Sequence, residues 1–76
     1  MNKERRQEIE AVTNELVRLM YRVQDLQEEE EEYRDNIPEN LQGSERYEKA
    51  DDAASALEEA ADYIQDAIDS LDEASE

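Results

Sequence analysis

The chain has 76 residues, 42% of them charged and 37% hydrophobic, with a formal net charge of −16. That length allows one small domain, and the absence of Cys and His removes disulfides, thiol catalysis, thiolate metal sites and the usual general base. No apolar run approaches the length of a membrane span, and Met1–Gln7 lack the apolar stretch of a secretory signal, so a soluble, cytoplasmic protein is expected.

The first predicted element is a helix over residues 3–35, rich in Glu, Leu, Arg and Gln, all good helix formers. A turn is predicted over 36–43. Pro38 disfavours helical geometry at Ile37 and stops the first helix there. It can also open a short helical turn with Asn36 as its cap. Gly43 is expected to close the turn with a positive φ. A second helix follows over 44–74. Ser44 is its N-cap, and Glu45 and Glu48 stand in the first turn, where the helix dipole favours them.

Both helices carry apolar residues in alternating steps of three and four, the coiled-coil period. The first run is Ile9, Val12, Leu16, Leu19, Val23 and Leu26, continued by Glu30 and Tyr33. The second is Tyr47, Ala50, Ala54, Leu57, Ala61, Ile64, Ile68 and Leu71. Paired from the outside in, every pair sums to 80, from Ile9 with Leu71 to Tyr33 with Tyr47. This pattern predicts an all-α fold, an antiparallel two-helix coiled-coil hairpin. The same fold brings Arg5 and Arg6 beside Asp72, Glu73 and Glu76.

A lone two-helix rod buries each large aliphatic only partly, so it is marginal against the entropy of ordering the chain. Ala53, Ala60, Ala67 and Ala74 recur every seven residues on one flank of the second helix, and Met20 adds to the first. These residues are expected to mediate self-association, a homodimer forming a four-helix bundle.

No catalytic, cofactor or metal site is expected. Carboxylates would need burial to act as acid or base, and a rod offers no pocket. Gly43 is the only glycine, which leaves no phosphate loop. Glu28–Glu32 point all around the helix axis and cannot converge on one ion. The charge is uneven: residues 1–35 hold six Lys/Arg against eleven Asp/Glu, and residues 36–76 hold two against thirteen. From Ala50 to Glu76 there are ten acids and no base. Glu48, Asp52, Glu59 and Asp62, then Asp66, Asp69 and Glu73, follow helical spacing on the face opposite the seam, with Tyr63 a candidate aromatic anchor beside them. A face charged only for solubility usually mixes signs. This stripe places a charge every ~5 Å, against one phosphate per ~3.4 Å on a DNA strand. It repels nucleic acid and anionic membrane and attracts basic protein surfaces.

The segment Pro38-Glu39-Asn40-Leu41-Gln42-Gly43-Ser44-Glu45-Arg46-Tyr47-Glu48 resembles the turn of small acidic helical-hairpin proteins from phages and other mobile elements of Gram-positive bacteria. The start, Met1–Arg6, and the Ala/Asp/Glu-rich second helix are similar too. The resemblance implies a setting in which small anionic proteins bind host or defence proteins, and it supplies no functional residues. The expectation is a non-enzymatic protein-binding module, an acidic nucleic-acid mimic that inhibits a nucleic-acid-binding or defence protein. The alternative is a structural coiled-coil subunit that binds a partner helix.

Overall fold

The computed structural model describes residues 1–41 and 43–76. It is a hairpin of two long helices, α1 over Lys3–Asp35 and α2 over Glu45–Ala74, joined by a short 3₁₀ turn over Glu39–Leu41. The rod measures 60 × 14 × 12 Å between Cα extremes. Asn2 caps α1, its side-chain Oδ1 accepting from the Arg5 N–H at 2.7 Å. Ser44 caps α2 as expected, accepting from the Tyr47 N–H at 3.3 Å.

Asn36 ends α1 as its C-cap, its N–H donating to the Glu32 carbonyl at 3.0 Å. It therefore closes the helix before the turn and does not cap the turn after it. The Leu41 N–H donates to the Pro38 carbonyl at 2.8 Å, and the Ser44 N–H to the Leu41 carbonyl at 3.0 Å. These two bonds close the turn. No glycine among the described residues has a positive φ, so the left-handed geometry expected of Gly43 is not used. Ile37 folds back into the hairpin and is 4% exposed, which plugs the turn end of the core.

The seam of α2 is the expected one. Ala50, Ala54, Ala61 and Ile68 are buried, and Tyr47, Leu57, Ile64 and Leu71 are half-buried between them. The seam of α1 is not. Its inward residues are Ile9, Thr13, Leu16, Met20 and Val23, continued by Gln27, Glu30, Arg34 and Ile37. One expected row, Ile9-Leu16-Val23-Glu30, is kept. The other, Val12-Leu19-Leu26-Tyr33, is displaced by its neighbours one residue on, a rotation of about 50° about the helix axis. Leu26 is 51% exposed, and Val12, Leu19 and Tyr33 also lie open.

The reason is that α1 carries an apolar arc wider than one helix can cover. Val12, Leu16, Val17, Leu19, Met20 and Val23 occupy four of the seven heptad positions, so a single partner must leave one edge out. The rotated seam buries Met20 against Ala61 and Ile68, with Leu16, Val17, Val23 and Ile64 around them. It also extends the kept row to Ile37 and sets Arg34 within reach of Asp51. The Arg34 guanidinium donates from Nη1 to Asp51 at 2.8 Å and from Nε to Asp35 at 3.0 Å. The expected Tyr33–Tyr47 layer is thus replaced by a cross-helix ion pair beside the turn.

At the other end, no ion pair joins Arg5 or Arg6 to Asp72, Glu73 or Glu76 among the described residues. Arg6 and Asp72 only line the same shallow cleft, with Glu10, Thr13, Asn14 and Ser75. The last turn of α2 holds no base, so its carboxylates face the negative end of the helix dipole uncompensated.

Candidate functional site

The hairpin has two broad sides and two backs, and helical periodicity assigns each residue to one of them. On the back of α2, Glu48, Asp52, Glu59, Asp62, Asp66, Asp69 and Glu73 are all exposed. They form two adjacent rows of carboxylates along the rod. Glu59 accepts from the Tyr63 hydroxyl at 2.8 Å, and Asp69 from the Gln65 side-chain amide at 2.9 Å. None of the seven carboxylates enters an ion pair among the described residues. Tyr63 stands at the border of this surface, 63% exposed. Its hydrogen bond to Glu59 holds the phenol above its ordinary pKa, reinforced by the charge of Asp66.

One broad side continues the acidic surface. It presents Glu10, Val17, Gln24 and Glu31 from α1 beside Asp51, Glu58, Gln65 and Asp72 from α2. The Arg34–Asp51 pair crosses it, and hydrogen bonds to Asp35 first and Asp51 second hold the Arg34 guanidinium well above its usual pKa.

The opposite broad side is different in kind. The Arg46 guanidinium lies 5.2 Å from the centre of the Tyr33 ring and donates from Nε to its hydroxyl at 2.6 Å. These two, with Glu30, Lys49 and Ala50, line an open cleft beside the turn. Stepping back by sevens from Tyr33 gives Leu26, Leu19 and Val12. Stepping forward by sevens from Arg46 gives Ala53, Ala60, Ala67 and Ala74. The two rows therefore run side by side on one surface. Ala53 and Ala60 are half-buried and Ala67 and Ala74 exposed, which keeps them available to a partner. Met20 is not: at 8% exposure it belongs to the core of the hairpin, so its assignment to a self-association surface is corrected.

Sequence reasoning had assigned Val12, Leu19, Leu26 and Tyr33 to the folded seam, and so missed them as surface. Two signals pointed to them: Met20 and Val17 sat outside a seam drawn through residues 12, 19 and 26, and Ile37 continued the other row.

Among the described residues, no group of three or more Asp, Glu, His or Cys is placed to hold a metal ion, and no helix is long and apolar enough to cross a membrane. The clefts at the two ends of the rod are shallow and open, and neither contains a buried polar group. No protein-family model matches the chain, and no curated protein or solved structure is detectably similar to it.

Proposed function

We propose that this chain is a non-enzymatic protein-binding module whose acidic back of α2 engages a basic protein surface, such as the nucleic-acid groove of a nucleic-acid-binding or defence protein. The observation that carries this reading is the segregation of charge. Seven exposed carboxylates from Glu48 to Glu73 share one face, and the one cation in that span, Lys49, stands at its edge beside the turn, paired with Glu45. A regular anionic rod of this kind is attracted over a distance of about a Debye length, ~8 Å at physiological salt. Tyr63, at the edge of the face, supplies an aromatic contact of the kind that anchors interfaces. The resemblance of the turn to hairpins of mobile elements fits an inhibitor that occupies a groove meant for nucleic acid, acting in the cytoplasm of a host cell.

The test is capture from a lysate by the wild type and by the variant Asp62→Lys/Asp66→Lys/Asp69→Lys, each with and without competing duplex DNA. A captured protein should be displaced by DNA, released by salt and lost with the triple variant. Capture that survives both the triple reversal and DNA would sink the mimic. It would favour the second reading, a structural subunit that binds a partner helix. That reading draws on a specific observation of its own, the open apolar side formed by Leu19, Leu26, Ala53 and Ala60.

A further inference from the structure

We infer that the open apolar side of the hairpin is closed by a second copy of the same chain, related by a two-fold axis that runs along the rod and sets the two turns at the same end.

Shape supports this occupant. On α1 the exposed row Val12-Leu19-Leu26-Tyr33 forms a ridge of large side chains. On α2 the row Ala53-Ala60-Ala67-Ala74 forms a furrow of small ones. A two-fold axis along the rod lays the α1 ridge of each copy over the α2 furrow of the other. Leu19 then meets Ala60 and Leu26 meets Ala53 at the same level, so large packs on small in each layer. Such a surface is complementary to itself, as an isologous interface must be.

Charge supports it as well. The whole chain carries −16, which opposes association of two copies. On this side, however, the charged residues are Arg5, Arg22, Arg46 and Lys49 against Glu8, Glu15, Glu29 and the half-buried Glu30, a net of zero. This is the one broad side that another anionic copy can approach without strong repulsion. The two-fold direction follows from the same residues. With the turns together, Glu29 of one copy stands level with Lys49 of the other. With the turns at opposite ends, α1 lies on α1, so the ridge of one copy meets the ridge of the other, large on large.

Area is sufficient. The rows from Arg5 to Tyr33 span ~40 Å and the two helices ~20 Å. Each copy thus offers roughly 800 Å², the size of a stable interface. The arrangement leaves both acidic backs facing outward on opposite sides, so the assembly does not depend on the acidic-face reading above.

Sedimentation equilibrium at micromolar concentration should give twice the 8.9 kDa mass of the chain. Leu19→Glu/Leu26→Glu should weaken the dimer by at least ~100-fold, given what burial of two leucines contributes, while Tyr21→Glu on another face leaves it intact. If the double variant loses its helix, the wild type still decides. On dilution, NMR signals of Val12, Leu19 and Leu26 should shift while those of Tyr21 and Asp66 stay. The chain has no cysteine, so a single spin label at Asn40→Cys reads the direction: a separation under ~25 Å is expected from helix spacing. A monomeric wild type, a dimer that survives Leu19→Glu/Leu26→Glu, or a label separation near the 60 Å length of the rod overturns the inference.

Discussion

At the residue scale, burial separates side chains that share a stretch of sequence. Met20 and Tyr21 are neighbours, yet Met20 lies in the core and Tyr21 is 59% exposed. Met20→Ala should cost ~2–4 kcal/mol by removing buried methylenes and leaving a void against Ala61 and Ile68. Tyr21→Ala should stay within ~0.5 kcal/mol. Urea denaturation of both variants checks this, and equal costs would mean that α1 is not rotated as described. Tyr63 offers a second test through its bond to Glu59. Its phenol is held above the ordinary 10.0, so the folded chain binds that proton more tightly than the unfolded one. The resulting stabilisation is fully present below the ordinary phenol pKa and is lost as pH rises through the raised value. Following the Tyr63 ring carbon by NMR through alkaline pH should show the late titration, and Glu59→Gln should bring it back towards 10.0.

At the element scale, the two helices differ in how they are held. α1 is capped by Asn2, but Lys3, Arg5 and Arg6 oppose the dipole in its first turn, and only its last turn, with Arg34, complements it. α2 is well started and poorly finished: Ser44 caps it and Glu45 and Glu48 favour its first turn, but no base stands in its last. Its N-terminus should therefore be the more protected end. Ser44→Ala should lower stability by about 1 kcal/mol and speed amide exchange in the first turn of α2, with α1 little affected. Uniform acceleration along both helices would show that the cap acts on the whole hairpin. The helix bounds and the Ser44 cap were legible because they depend on neighbours in sequence. Pro38 and Ser44 act within a few residues of themselves, whatever the rest of the chain does.

At the scale of the whole molecule, electrostatics sets the conditions of assembly. A dimer holds two chains of −16 each, and screening weakens their mutual repulsion more than it weakens apolar contact. Association should therefore strengthen between ~10 mM and ~150 mM salt, over which the Debye length falls from ~30 to ~8 Å. Binding of the acidic back to a basic protein should weaken over the same range. Sedimentation and titration across one salt series would separate the two surfaces, and salt dependences of the same sign would contradict the assignment of one as apolar and the other as ionic.

By itself the sequence determined that there are two helices, where they begin and end, that they run antiparallel, and which residues of α2 face inward. Each of these follows from short-range stereochemistry or from a single apolar stripe with one possible partner. The acidic back of α2 was legible for the same reason, since helical spacing alone gathers its carboxylates. Only the tertiary structure decided the rotation of α1. Its apolar arc offers two stripes that share the row Ile9-Leu16-Val23-Glu30, and periodicity cannot choose between them. The choice rests on contacts across the hairpin: Met20 buried against Ala61 and Ile68, and Arg34 paired with Asp51. That rotation leaves Val12, Leu19 and Leu26 on the surface, because one helix can cover only part of so wide an arc.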